Sequence, residues 1–258
     1  MDTFLIFLLV GFIAQAIDGA LGMAYGVVTS TVLISLGIPP ATASATVHAA
    51  EVFTTAASAG SHIAHKNVNW RFLVPLAGAG MIGGALGAYV LTGLDGDAIR
   101  PYVVAYLGSM GLLILSRARK VVKVRPVAQG WAAPIGLVGG FADAAGGGGW
   151  GSTVTSTLVG AGKEPRMAVG TANAAEFFVT TAISAAFLVA LLTGRWDEAG
   201  ELRGHLTAVG GLVTGGLLAA PLAGWVTKIV PIRALTVAVG LLVVLLAAQQ
   251  AARLFGLF

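Results

Sequence analysis

Eight long apolar stretches alternate along this chain with short polar segments. A run of about 20 apolar residues is enough to cross a bilayer as a helix, so the pattern predicts an all-α, polytopic membrane protein. Two stretches are longer than 30 residues and are interrupted by Gly-rich sequences, Gly19 to Gly22 and Gly146 to Gly149; each is predicted to form two half-helices. The stretches cover residues 3–36, 41–64, 70–92, 98–116, 130–162, 166–193, 203–227 and 231–255.

The first half of the chain recurs 125 residues later. Residues 11–60 align with 136–185 without a gap, and 16 of 50 positions are identical. The matches include scarce residue types as well as Ala and Gly. Duplicated apolar units with Gly-interrupted helices are typical of secondary transporters, whose binding sites lie where the repeats meet.

The repeats divide the chain into three parts: a first transmembrane repeat at 1–116, a basic linker at 117–129 and a second repeat at 130–258. The linker holds five Lys or Arg and is predicted to be cytoplasmic by the positive-inside rule. If each broken pair enters and leaves on one side, a repeat has three full crossings and the second repeat is inverted. That arrangement places 11 Lys and Arg on the cytoplasmic side and 4 on the outer side. Eight crossings with parallel repeats would instead place 10 on the cytoplasmic side and 5 on the outer side. We favour the inverted arrangement.

Composition excludes several classes of function. Hydrophobic residues make up 57% of the chain, charged residues 10%, and the mean hydropathy is +0.88, which is far from the composition of soluble domains. The chain has no Cys, so disulfides and thiolate chemistry are excluded. Topology accounts for the net charge of +4 better than nucleic-acid binding does. No cofactor, no metal and no nucleic-acid partner is expected.

Two acidic residues within predicted spans are candidates for function. Ionisable groups in a membrane are costly and usually face a cavity, a partner or a pathway. Glu51 shares a helix face with His48 and Thr55, and the second repeat places Asn173, Glu176 and Thr180 at the same spacing. Two equivalent polar stripes are expected to face each other. The alternative is that each Glu holds the broken helices in place without carrying protons.

The Gly-rich breaks are candidates for an anion site. Asp18 and Asp143 directly precede them, where a carboxylate can cap the following half-helix; a proton-carrying role is the alternative. A half-helix N-terminus offers exposed N–H groups and the positive end of a dipole, so it binds anions without Lys or Arg. Two such termini at the repeat interface indicate an anionic substrate.

The repeats also differ from each other at a few positions. Gln15, Tyr25 and His48 in the first repeat correspond to Gly140, Trp150 and Asn173 in the second. His48 titrates near physiological pH, so it is a candidate proton carrier, with a neutral hydrogen-bonding role as the alternative. His62 and His65 lack a third ligand in the sequence, so a metal site is not expected.

The chain resembles the sulfite exporter TauE/SafE family, also called the toluene-sulfonate uptake permeases. The resemblance rests on GFIAQAIDGALGMAYG, on ASATVHAAEVFT and its counterpart AVGTANAAEFFV, on the basic linker and on the Gly-rich second repeat. It implies a multi-pass inner-membrane transporter of sulfite or an organosulfonate. An integral membrane enzyme is not expected, because no nucleophile, base and orienting group can be assembled from these residues. The first break departs from the second in carrying Gly-Ala-Leu-Gly instead of four glycines.

These observations predict a secondary transporter that exports a small sulfur oxyanion, most simply sulfite, bound between the repeats. The alternatives are a larger organosulfonate as substrate, or a cation carrier that uses the acidic residues. The partners expected are the anion and the bilayer; assembly as a homodimer is left open. The candidate substrate contacts are Gly19, Gly22, Thr46, His48, Gly146, Gly147, Gly148, Gly149, Thr171 and Asn173. The candidates for proton coupling or gating are Glu51, Glu176, Asp18, Asp143 and His48.

Overall fold

The computed structural model describes residues 3–118, 126–196, 202–220 and 231–256, and every regular element in these ranges is helical. Most of the basic linker, residues 119–125, and the end of the predicted 203–227 span lie outside the described residues. The α-helices are α1 (Thr3–Leu21), α2 (Tyr25–Ser35), α3 (Pro40–Ala64), α4 (Trp70–Leu91), α5 (Gly96–Arg117), α6 (Ala132–Gly146), α7 (Ser156–Gly160), α8 (Pro165–Leu192), α9 (Leu202–Ala219) and α10 (Ile232–Leu254).

The helices have the length and composition of membrane spans. Within the described residues, four of them are long and apolar enough to cross a bilayer, namely α4, α5, α8 and most of α10. Helices α1, α2 and α9 are apolar over shorter lengths. The all-α, polytopic architecture predicted from the sequence is therefore confirmed.

Both long apolar stretches are broken, as predicted. The first break lies at residues 22–24, where Gly22 has a φ of 66° and Ala24 a φ of 103°. A positive φ is unfavourable for Ala because of its Cβ. Gly19 is part of the last turns of α1, so the interruption starts three residues later than expected. The change of chain direction uses the positive φ of Ala24 as well as that of Gly22.

The second break begins at the glycine run itself. Gly146 ends α6, and the next three glycines have φ values of 82°, 140° and 132°. The chain then continues in a short π-helix at Gly151–Thr155 that leads into α7. Only glycine adopts such a run of positive φ at low cost.

Glycines allow close contacts between the repeats. A Cβ on Gly83 of α4 would lie against the carbonyl of Leu137, and one on Gly87 would lie against Phe141. In the same way, Gly211 and Gly215 of α9 lie against the carbonyls of Phe4 and Leu8 on α1. Each repeat thus packs one of its helices on the broken helix of the other through glycines four residues apart, a spacing that allows two helices to approach closely.

This packing gives a stability prediction. Gly83→Ala is expected to lower the melting temperature of the purified protein, because its Cβ would meet the backbone of Leu137 and cannot escape by rotating. Overpacking of this kind costs about 1–3 kcal/mol. Gly78→Ala is the matched control on the same helix, since its Cβ would have no atom within 4 Å. Thermal unfolding in detergent measures both; equal melting temperatures for the two variants would contradict the packing.

Equivalent helices of the two repeats run antiparallel. Asn173, near the start of α8, contacts Ser58 and His62 near the end of α3, whereas Thr180, further along α8, contacts Thr55. In α5 and α10 the order is also reversed: Gly111 lies against Val244, and Gly240 against Leu115. Helices related in this way are expected when the repeats are inverted in the membrane. We infer that the two repeats are inverted relative to each other in the membrane.

Basic residues collect at one end of the bundle. Gln129, before α6, donates to the carbonyl of Arg71 (2.8 Å), and the Lys163 ammonium lies 3.5 Å from the centre of the Phe72 ring. Arg166 at the start of α8 donates to Asn67 in the loop between α3 and α4 (2.5 Å). We call this end the basic face, defined by Lys66, Arg71, Lys163 and Arg166.

Candidate functional site

The two breaks meet in the interior of the bundle. A Cβ on Gly26 would lie 3.0 Å from the Cα of Gly148, and one on Gly151 would lie 2.9 Å from the Cα of Met23. The Ser30 hydroxyl also donates to the carbonyl of Gly147. Because Gly26 and Gly151 are equivalent positions, each repeat presents the first turn of its second half-helix to the break of the other. The positive ends of two helix dipoles therefore converge at this point.

A carboxylate caps each of the two half-helices. Tyr25 N–H donates to Asp18 Oδ1 (3.2 Å), and Trp150 N–H donates to Asp143 Oδ1 (2.8 Å). This is the capping arrangement that the sequence predicts for the two aspartates. It satisfies a backbone N–H that helix geometry leaves without an internal partner.

A small polar cavity lies beside the first break. Its walls come from α1, α3 and α8 and from the first residue of α2. The space that a water-sized sphere can occupy is about 10 Å³, which is room for about one water. Its lining residues are Gln15, Asp18, Tyr25, Glu51, Thr54, Thr55, Ser58, Asn173 and Glu176.

The structure brings the two predicted polar stripes together. The hydroxyls of Thr55 and Thr180 lie 3.5 Å apart, and Glu51 and Glu176 line the same cavity. Thr46 and Thr171, which were predicted to contact the substrate, do not line this cavity. Thr171 accepts from the Asn69 N–H (3.0 Å) and donates to the carbonyl of Met167 (2.6 Å), so it holds the loop of the basic face. Thr46 is buried in α3 but does not line the cavity.

His48 pairs with Asp143, away from the cavity. Its Nδ1 is 2.7 Å from the carbonyl of Ser44, which can only accept, so Nδ1 carries a proton. Its Nε2 is 3.2 Å from Asp143 Oδ2, and both side chains are almost fully buried. A contact between these two atoms requires a second proton, which the imidazole and the carboxyl share. Proton occupancy at this pair therefore sets the charge beside the second break.

Glu51 lies between the cavity and the His48–Asp143 pair. Its Oε2 is 4.0 Å from His48 Nε2 and has no hydrogen-bond partner among the described residues. A Cβ on Gly26 would lie 2.8 Å from Glu51 Oε1, so the carboxyl group packs on the first turn of α2. A buried carboxyl oxygen without a partner is costly. The arrangement is therefore one in which a proton, water or ligand at Glu51 would be stabilising.

Sequence reasoning missed several groups near the second break. The hydroxyl of Tyr106 on α5 is buried without a partner among the described residues, and its ring lies against Gly146 and Gly149. The hydroxyls of Ser152 and Thr155 are also buried without a described partner. Tyr106 lies outside the aligned part of the repeats, so the comparison of 11–60 with 136–185 could not identify it. The signal for Ser152 and Thr155 was their place after the glycine run.

The fold and the site define a class of protein: a multi-pass membrane transporter with two contacting helix breaks and buried carboxylates between its repeats. The comparison with protein families identifies it further, since the model of the Sulfite exporter TauE/SafE family matches residues 7–250. The chain belongs to this family. It is a transporter of the cell membrane and not an enzyme.

Among curated proteins, the chain is similar to the Probable membrane transporter protein YtnM of Bacillus subtilis (strain 168). The two are 40% identical over 235 residues, which cover 88% of this chain and 76% of the relative. No solved structure matches.

Proposed function

We propose that this transporter carries a small sulfur oxyanion, most simply sulfite, through the point where the two breaks meet. The observation that supports this best is the convergence of two half-helix N-termini, at Gly26 and Gly151, in the interior of the bundle. Such termini bind anions through backbone N–H groups and the helix dipole. The Tyr106 and Ser152 hydroxyls add donors that have no partner among the described residues.

The carboxylates explain how an anion could be coupled to protons. Asp18, Asp143 and Glu51 contact the same half-helix termini that an anion would need. A carboxylate and a substrate anion compete for one positive region, because like charges at short distance repel. Protonation of Glu51 removes this repulsion. The anion would therefore bind together with a proton, and the two would cross the membrane together.

The size of the cavity indicates a closed conformation. A space for about one water cannot hold a sulfur oxyanion, so α3 and α8 have to separate for substrate to enter. We take the basic face as cytoplasmic by the positive-inside rule, because Lys66, Arg71, Lys163 and Arg166 lie there. Export would then load the anion from the basic face.

Sulfite flux into proteoliposomes tests the proposal. Labelled sulfite is presented to the purified protein with and without an imposed pH gradient, with sulfate and a sulfonate as competitors, and protein-free liposomes correct for permeation. Saturable flux that rises when the outside is made acidic is expected. If the protein transports only the sulfonate, the substrate is a larger organosulfonate and not sulfite. If it transports neither anion, the proposal of an anion transporter is contradicted.

A second candidate, a cation carrier, is favoured by one observation. Asp18, Glu51 and Glu176 line the cavity, whereas none of the Lys and Arg in the described part of the chain does. A cation site here predicts that Na⁺ or a divalent cation raises the melting temperature in the absence of any anion substrate. Stabilisation by sulfite but not by cations would exclude it.

A homodimer stays a prediction.

A further inference from the structure

A chain of polar contacts connects the cavity to the basic face. The Asn173 amide lies on the cavity wall, 3.1 Å from the Ser58 hydroxyl and 3.4 Å from His62 Nε2. The other ring nitrogen of His62, Nδ1, is 3.3 Å from the amide nitrogen of Asn67. Arg166 then donates to Asn67 Oδ1 and, at 3.0 Å, to the carbonyl of His65. These contacts tie the end of α3 to the start of α8.

The contacts fix the protonation state in which the chain is closed. A guanidinium only donates, so Arg166 keeps Asn67 Oδ1 on its own side and leaves the amide N–H₂ of Asn67 to face His62. His62 Nδ1 must then accept, which requires a neutral ring with its proton on Nε2. Turning the Asn173 amide lets its oxygen accept from this N–H and from the Ser58 hydroxyl.

Protonation of His62 disrupts this arrangement. Both ring nitrogens of an imidazolium donate, so Nδ1 would face the N–H₂ of Asn67 without an acceptor. Asn67 could turn its oxygen to His62 only by giving up Arg166. The ionisable groups around His62 in the described residues are His65 and Lys66 at the end of α3 and Arg166 on α8, with Glu176 one turn beyond Asn173. Arg166 is the cation on the facing helix, so a positive charge on His62 is repelled across the contact between α3 and α8.

Among the described residues, the opposite end of the same helix pair has no such chain of polar contacts. At the offset of 125, Ile183 and Phe187 take the places of Ser58 and His62, and Ala41 takes that of Arg166. Ile183 and Phe187 are buried, and the Phe187 ring packs on Trp196 with 5.6 Å between centroids. The polar contacts at the His62 end of the helix pair can be broken by a proton, whereas the apolar packing of Ile183 and Phe187 cannot.

We infer that His62, Asn67 and Arg166 form a proton-sensitive gate between the cavity and the basic face, closed while His62 is neutral and open once it is protonated. The inference rests on the proposed function only in taking the cavity as part of the substrate path.

The absence of Cys from the chain allows a direct test. Thr54→Cys places a thiol on the cavity wall, outside the contacts of the gate, and Ser61→Cys places one on the exposed part of α3 beside the gate. A negatively charged, membrane-impermeant methanethiosulfonate is added to inside-out vesicles, without any substrate. The ratio of the two labelling rates cancels the intrinsic pH dependence of thiol reactivity. We expect the ratio to rise about tenfold from about pH 8 to about pH 5.5, across the titration range of histidine.

Two background variants identify the gate. With His62→Gln, which cannot be protonated, the ratio is expected to stay low at every pH. With Arg166→Gln, which removes the contact to Asn67, it is expected to be high at every pH. A ratio that does not change with pH, or that rises equally with His62→Gln, would overturn the inference. Because no substrate is present, failure of the gate is distinguishable from failure of sulfite transport; monodisperse size-exclusion profiles show that each variant is folded.

Discussion

Glu51→Gln is expected to abolish the acceleration of sulfite flux by a pH gradient, while the exchange of labelled for unlabelled sulfite continues. Glutamine keeps the shape of the protonated carboxyl group but cannot release a proton. The anion would still reach the half-helix termini at Gly26 and Gly151, because the side chain that competes with it is now permanently neutral. Coupling is lost without loss of the path.

The measurement compares flux with and without an acidic exterior in proteoliposomes, next to exchange at equal pH. Glu164→Gln is the control, since Glu164 is an exposed carboxylate before α8 and does not line the cavity. In the native protein and in this control we expect about a tenfold acceleration by a gradient of about one pH unit, because one proton per anion gives about 1.4 kcal/mol. If Glu51→Gln keeps this acceleration, Glu51 has a structural role and the proton is carried elsewhere.

Loss of both flux and exchange would have a different meaning. Glu51 Oε1 packs on Gly26, so a variant that disturbs this contact would fail in both assays and would also unfold at a lower temperature. Glu176→Gln provides a second variant, because Glu176 lines the same cavity from α8. If only Glu51→Gln loses coupling, the proton site belongs to the first repeat.

The architecture could be predicted from the sequence because each signal for it can be recognised locally along the chain. Apolar stretches of span length, glycine interruptions and a gapless repeat each depend on local composition, and the helices follow them closely. The capping role of Asp18 and Asp143 was also predictable, since a carboxylate next to a half-helix N-terminus has few other partners. The start of the first break was not, because Ala24 adopts a positive φ that its residue type disfavours.

The pairing of side chains across the repeats could not be predicted in the same way. The sequence predicted two polar stripes that face each other, but His48 of the first stripe contacts Asp143. Thr171 was predicted to contact the substrate, but its hydroxyl accepts a hydrogen bond from Asn69 in a loop of the basic face. Partners of this kind depend on how the helices cross, and a spacing along one helix does not contain that information. For His62, the sequence showed only a spacing with His65 that lacks a third metal ligand, and its contacts with Asn67 and Asn173 could not be predicted from it.

Gly148→Ala is expected to reduce sulfite flux by at least about tenfold, because it would force the two breaks apart. Gly148 has a φ of 140°, and its Cβ would lie 2.7 Å from both the Cα and the carbonyl oxygen of Gly26. Backbone atoms cannot rotate away as a side chain can, so the half-helix termini would have to separate. Gly37→Ala is the matched control: Gly37 has a φ of 92°, but its Cβ would have no atom within 4 Å. It introduces the backbone strain without the close approach.

Equal flux losses in the two variants would assign the effect to backbone strain. Normal flux in Gly148→Ala would show that contact between the two breaks is not needed for transport.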